Sequence, residues 1–328
     1  MVRMLIGGEL VEGSRGLDVV DPCTGVVFTQ VPDAGAADVE RAVAAAKAAY
    51  PAWRNLAPAA RGDILRAMAA KITENAEELC ALLVKETGRP MGLAQYEVLH
   101  LAVGYLTYYA GLEALPELIV EDDTRRVELH RKSLGVVGAI VPWNAPVFIA
   151  ANKIAPALAA GNTIVVKTAP TTPLTTLRLG ELWAEVVPAG VVNILSGGND
   201  AGALLVAHED VAKITSTGST ETGRKIMAAA APTLKRVTLE LGGNDAAIVL
   251  PDADVAAIAP AIFAFAFFNS GQVCAVIKRL YVHDSLYDAM CDAIASLASS
   301  AAVAPGSDAA AEFGPGQNKA QYEKVLHY

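Results

Sequence analysis

The sequence predicts a doubly wound α/β fold, and three observations carry that prediction. Short β-rich runs alternate with helical segments from Leu134 to Leu239, the pattern of a parallel sheet covered by helices on both faces. One of these runs, Ile164-Val165-Val166 ahead of Lys167, reads as a buried strand. The chain has 328 residues, 53% of them hydrophobic, which suffices for two domains and a sizeable core. Right-handed crossovers would then open a ligand crevice at the strand carboxyl ends.

The elements follow in order. Residues 1–13 carry one Arg and a Gly-Gly-Glu, without the long apolar stretch of a signal peptide. Residues 37–111 read as helical: Ile64, Leu65, Met68 and Ile72 share one face, while Pro90 and the glycines at 88, 92, 104 and 111 punctuate the region. Arg125–Lys132 is polar and alternating, an exposed strand of a ribbon that serves either as a plain edge or as an oligomer contact. Strands are expected at Leu134–Val141, Thr163–Lys167, Val192–Leu195, Ala212–Ser216 and Arg236–Leu239, with helices at Pro146–Ala160, Pro173–Val187, Ala201–His208 and Ser219–Ala231 between them. Ala246–Leu250 and Val276–His283 are further strands, and Asp252–Phe268 and Ser285–Ser300 further helices. The apolar run Val255–Phe268 is shorter than the roughly twenty residues of a membrane span and reads as a buried helix. Residues 299–311, rich in Ala, Ser and Gly, read as a surface loop.

A formal charge of -9, with 19% charged residues and no basic run, argues against nucleic acid as a partner. No stretch is long enough for a membrane span. Of Cys23, Cys80, Cys274 and Cys291, none are spaced Cys-x-x-Cys, and no Cys or His cluster suggests a metal. A reduced, cytoplasmic setting is the expectation.

Five segments carry candidate chemistry, each with a plainer alternative. Ser-Thr-Gly-Ser-Thr-Glu-Thr-Gly spans 216–223 between a strand and a helix; Gly218 permits a tight turn, and Ser219 caps a helix whose free N–H groups suit a pyrophosphate. A simple capped turn uses the same residues. Lys167 stands at a strand end and can donate to ribose hydroxyls or phosphates, or it snorkels to the surface. Two prolines stiffen Pro142-Trp143-Asn144-Ala145-Pro146, so that Asn144 is an oxyanion donor or a turn-forming residue. Glu240 lies in an apolar stretch before Gly242 and Gly243, where a partly buried carboxylate with a raised pKa suits a general base and a structural Glu is the rival. In Asn269-Ser270-Gly271-Gln272-Val273-Cys274, Gly271 turns the chain and sets Cys274 beside free backbone N–H groups that favour a thiolate; a buried inert Cys is the alternative. Cys23, Cys80 and Cys291 read as packing residues.

Pro142–Pro146, Gly161–Lys167, Pro188–Asn193, Gly218–Gly223, Glu240–Gly243, Gly271–Cys274 and Arg279, taken in this order and spacing, resemble the aldehyde dehydrogenase superfamily from near Met4 to the chain's end. The resemblance implies a Rossmann-like cofactor domain at 1–112 and 134–239, a bridging ribbon at 113–133, and an incomplete α/β catalytic domain at 240–328. It implies oxidation of an aldehyde to a carboxylic acid with NAD as cofactor, NADP also admitted. Cys274 would be the nucleophile, Asn144 and the Cys274 N–H the oxyanion donors, and Glu240 the base that hydrolyses the thioester. Lys167 would contact the adenosine ribose, and Gly218, Ser219 and Gly223 the pyrophosphate. Ile140, Val141, Pro142, Trp143, Glu240 and Leu241 would complete the cofactor's surroundings.

Three departures from the family pattern stand out. Pro170 occupies the place of a Glu that bonds the ribose 2′-hydroxyl in many NAD-preferring members. Ala145 replaces an aromatic residue, which widens the expected substrate tunnel. The chain stops at Tyr328, whereas the family continues with a Glu on the nicotinamide ribose and a final strand used in subunit contacts; a truncated member is therefore expected, forming a homodimer or homotetramer when full length. The rival functions are a CoA-acylating dehydrogenase, against which Glu240 argues, and a catalytically silent binding or structural relative. A Cys–His hydrolase is a third, though no histidine sits in a partner motif.

Overall fold

A computed structural model describes residues 2–327; Met1 and Tyr328, the outer limits of the first and last expected domains, lie outside the described residues. Two hairpins open the chain: β1 (Met4–Ile6) with β2 (Glu9–Val11), and β3 (Gly16–Asp21) with β4 (Val26–Pro32). Helices α1 (Ala36–Arg54), α2 (Pro58–Glu74) and α3 (Ala76–Thr87) follow, then α4 (Met91–Gln95), a π-helical stretch at Tyr96–Ala102, and α5 (Val103–Ala110). Leu65, Met68 and Ile72 recur at helical spacing on α2 and are fully buried, which is why this segment is a helix packed on the core. Next comes an antiparallel ribbon of β5 (Glu117–Glu121) and β6 (Arg126–Leu129).

The alternating region forms β7 (Val136–Ile140), α6 (Pro146–Ala159), β8 (Thr163–Lys167), α7 (Leu174–Trp183), β9 (Val192–Leu195), α8 (Asn199–Ala207), β10 (Val211–Thr217), α9 (Thr220–Ala230) and β11 (Arg236–Glu240). The sheet order is β11-β10-β7-β8-β9-β1-β2. From β11 to β9 neighbouring strands are parallel, while β1 adds antiparallel to β9. The chain winds outward from β7 through β8 to β9, then returns to start β10 on the other side of β7. The strand order reverses there, so the crevice at the carboxyl ends of β7 and β10 is where such sheets bind ligands. All residues of β8 and β9 are buried, as expected of central strands covered on both faces.

A smaller unit follows: β12 (Asp245–Val249) and β13 (Ile277–Val282), parallel to each other, with α10 (Val255–Ala266) and α11 (Tyr287–Ser300); α12 (Lys319–His327) comes last. Its hydrophobic cluster has only Val249, Ala259 and Met290 as buried members, separate from the large core running from Met4 to Ile226. Among the described residues, no helix is long and apolar enough to cross a membrane.

Three expectations are corrected. The apolar run Val255–Phe268 forms a helix as far as Ala266, but Ala259 is the one buried residue of α10, because α11, β13 and the Phe313 ring cover only part of its surface. The 299–311 segment is the expected surface loop from Ala301 on, but residues 299–300 close α11, and Gly306 is buried with its carbonyl accepting from the Met91 N–H at 3.1 Å. Of the presumed packing cysteines only Cys80 is buried; Cys23 lies in the exposed turn between β3 and β4, and Cys291 on the open face of α11.

Candidate active site

Strand register places the expected site residues along one edge. Ile140 pairs with Lys167 on one side and Ser216 on the other, and Thr217 pairs with Glu240. The side chains therefore leave four neighbouring strands at their carboxyl ends, beside the switch point.

Lys167, at the end of β8, is buried, and burial pushes its pKa down to about 8. Its Nζ donates only long bonds, to Gly197 O at 3.3 Å and Gly198 O at 3.4 Å. An ammonium has three donors, so capacity remains for a hydroxyl or phosphate oxygen. Ser219 caps α9 by accepting from the Thr222 N–H at 3.1 Å, and residues 219–222 are exposed, leaving an open helix N-terminus that suits an anion. The Gly218 N–H donates to Glu240 O at 3.0 Å, tying this turn to the next site segment. Gly223 is buried where α9 packs on Leu241 and Leu239. Val141 and Pro142 continue from β7, and Trp143 O accepts from the Thr172 hydroxyl at 3.2 Å. These features fit a dinucleotide.

Asn144, in the turn after β7, and the loop before Cys274 hold each other. Asn144 Nδ2 donates to Gln272 O at 2.8 Å, and Asn269 Nδ2 donates to Asn144 O at 3.0 Å. Asn269, Ser270 and Gly271 all lie in the left-handed region, with φ of 53°, 58° and 75°. That triple turn brings the chain back from α10 toward the sheet edge. Cys274 is exposed in the turn before β13, and its carbonyl accepts from Lys278 Nζ at 2.7 Å. A Cβ at Gly243 would come within 2.7 Å of that same carbonyl, so only glycine lets the Glu240–Gly243 segment pass this close to Cys274.

The partly buried Glu240 expected from its apolar neighbours is not found: Glu240 is exposed. It ends the edge strand of the sheet, where alternate residues face solvent. Two lysines were missed. Lys278 is one. The other is Lys153, the sole charge in the apolar sequence of α6, which is itself a signal of special placement. Its Nζ donates to the Thr215 hydroxyl at 3.3 Å; burial lowers its pKa to about 8, and the charge of Glu240 acts against that shift.

The model of the aldehyde dehydrogenase family matches residues 10–328. Phenylacetaldehyde dehydrogenase of Pseudomonas fluorescens is 41% identical over 342 aligned positions, covering 99% of this chain and 68% of that protein. The NAD+ complex of an aldehyde dehydrogenase from Bacillus cereus superposes with a TM-score of 0.96 at 35% identity, covering all of this chain and 68% of that one. An NADP-dependent enzyme of E. coli superposes at 0.95 with 35% identity, covering 99% of this chain and 69% of that one. The chain thus spans about two thirds of these relatives' length. With the family model matched over nearly its whole length and the fold shared throughout, this chain belongs to the aldehyde dehydrogenase family.

Proposed function

We propose that this chain oxidises an aldehyde to a carboxylic acid with NAD+ or NADP+, through a thiohemiacetal and then a thioester on Cys274. The observation that carries this reading is the reciprocal pair of hydrogen bonds between Asn144 and the Asn269–Gln272 loop. One N–H of the Asn144 amide is engaged by Gln272 O, and an amide nitrogen carries two. The second is left for an oxygen beside the nucleophile.

The Cys274 thiolate adds to the carbonyl carbon, and the Asn144 N–H stabilises the alkoxide that forms; such a donor contributes about 3–4 kcal/mol. Bound NAD(P)+ supplies the acceptor for the hydride that the thiohemiacetal loses. Glu240 then takes a proton from water as the water adds to the thioester carbonyl. The C–S bond breaks, the acid leaves and the thiolate is restored. Exposure of Glu240 gives it direct access to that water. Lys167 is assigned to the adenosine ribose, and Gly218, Ser219 and Gly223 to the pyrophosphate. Ile140 to Trp143, Glu240 and Leu241 are assigned to the remaining cofactor surface. The NAD+ complex and the NADP-dependent enzyme among the similar structures support use of either dinucleotide.

The two hydrophobic clusters support a cofactor domain at 1–112 and 134–239 and a catalytic domain at 240–328. Exposed Leu118, Ile119, Val127 and Leu129 on the 113–133 ribbon support its use as a contact in a homodimer or homotetramer. Four free cysteines support a reduced, cytoplasmic setting.

Glu240→Gln tests the mechanism. A burst of reduced nicotinamide about equal to the sites present, followed by slow turnover, is expected. Cys274→Ala should abolish the burst. A Cys274→Ala protein with normal turnover overturns the nucleophile assignment, and a Glu240→Gln protein without a burst moves Glu240 to an earlier step.

A further inference from the structure

Arg89 and Glu97 form an ion pair in the interior, 6% and 2% exposed, beside the site but on elements to which the mechanism assigns nothing. Burying such a pair carries a large desolvation cost, which only good geometry and further hydrogen bonds offset. Arg89 follows α3 at the Gly88-Arg89-Pro90 corner. Glu97 lies in the π-helical stretch, a local widening of the helix that is common at functional sites.

The bonds of the pair converge on one short turn. One arm of the Arg89 guanidinium donates to Glu97, the other to Asn144 O, and its Nε donates to the Thr87 hydroxyl at 3.0 Å. Glu97 Oε1 accepts from the Val147 N–H at 2.9 Å and the Phe148 N–H at 3.0 Å, the opening amides of α6. The turn 144–148 is therefore held at its first residue by Arg89 and at its last by Glu97, and the two holders are joined. Asn144 O also receives the Asn269 amide from the nucleophile loop, so the guanidinium and that loop share one acceptor.

The corner that carries Arg89 is itself clamped. A Cβ at Gly306 would overlap Arg89 O at 1.9 Å, and one at Gly314 would overlap Gly88 O at 2.1 Å, so the segment between them lies directly on the corner. The Ser270 hydroxyl donates to Gly314 O at 3.0 Å, and the Gln317 N–H to Gln272 Oε1 at 2.8 Å. One strap thus holds both the corner and the loop before Cys274.

We propose that Arg89, with Glu97 as its counter-charge, is a positioning residue for Asn144, holding the oxyanion donor in place against the nucleophile loop. This rests on the reading of Asn144 as that donor. A displacement of about 1 Å at such a group can cost roughly 10²-fold in rate. Arg89→Lys keeps the charge but loses the planar fork that bridges two acceptors. Arg89→Met/Glu97→Gln removes both charges and leaves a side-chain oxygen to accept from Val147 and Phe148.

The burst rate of reduced nicotinamide should fall about tenfold or more in the double variant and less in Arg89→Lys. Nucleotide affinity by calorimetry and the unfolding temperature of Arg89→Lys should stay at the parent values. Amide exchange at Val147 and Phe148 should quicken in Arg89→Lys, a readout independent of turnover. Asn144→Ala run alongside separates the possible failures. An unchanged burst there overturns the oxyanion reading and this proposal with it. A burst lost there but within twofold of the parent in a folded double variant overturns the positioning role alone, as does a nucleotide affinity that falls in step with the burst.

Discussion

At Asn144 three hydrogen bonds meet, two on its carbonyl and one from its amide. They offset a local cost on the other side of the contact. Asn269 and Ser270 are non-glycine residues in the left-handed region, at about 1–3 kcal/mol each, and each uses its side chain to bond outside the turn. Asn144 was recognisable as a site candidate because two prolines frame it. Arg89 was not, since the two partners that tie it to the site lie 8 and 55 positions away along the chain. Pro170, three positions past Lys167, bears on cofactor choice. Without a carboxylate there, a 2′-phosphate meets no charge repulsion, yet no Arg adjoins Lys167 in sequence to bind it. NAD is therefore expected to be favoured and NADP accepted. Pro170→Glu should weaken NADP use and affect NAD use less, as steady-state kinetics with both cofactors will show. A parent protein that rejects NADP, or unchanged NADP kinetics in the variant, removes the argument.

Helix α7 begins on a carboxylate from a different helix. Glu86, near the end of α3, accepts from the Leu174 N–H at 2.7 Å, the Thr175 N–H at 3.0 Å and the Thr175 hydroxyl at 2.5 Å. Burial raises its pKa from 4.5 to about 7, against the pull of those three donors. The folded state therefore holds this proton more tightly than the unfolded chain does. The stability it contributes is present below pH 4.5 and is lost as pH rises toward 7, by up to about 3 kcal/mol. Urea unfolding across that range should show the decline, and Glu86→Gln should flatten it. A parent curve that rises through the same window, or an unflattened variant, excludes Glu86 as the source. The elements themselves were largely legible. Thr163–Lys167 and Val192–Leu195 match the expected strands residue for residue, since an apolar run bounded by turn residues has few other uses. The hairpins β1–β2 and β3–β4 carry no such signal: β1 and β2 have three residues each, and β3 and β4 are mostly exposed or half-buried, without a continuous apolar run or a clean alternation.

On the scale of the whole molecule, apolar burial is uneven. The sheet and α1–α9 share one large cluster, whereas the 245–300 unit buries only four hydrophobic residues, Val249, Ala259, Val276 and Met290, and leaves Ile248 72% exposed. The smaller unit should open first. Hydrogen exchange is expected to be slowest on β7–β9 and faster by orders of magnitude on β12, β13, α10 and α11. Leu158→Ala should cost about 2–5 kcal/mol, and Ile248→Ala about 0.5 kcal/mol or less. Equal protection across both units would show that they unfold as one.

The alternation of strands and helices from β7 to β11, the doubly wound class of the sheet and a crevice at its carboxyl ends are legible in the sequence alone. Each of these follows from local periodicity and from the short, right-handed connections that parallel strands require. The exposure of Glu240, the open surface of α10 and the packing of the 303–317 segment on the Arg89 corner have no local signal in the sequence. Burial depends on what packs against a residue from elsewhere in the chain. Gly88 and Gly314 meet across more than two hundred positions because neither has a Cβ to prevent it, and no local pattern encodes that approach.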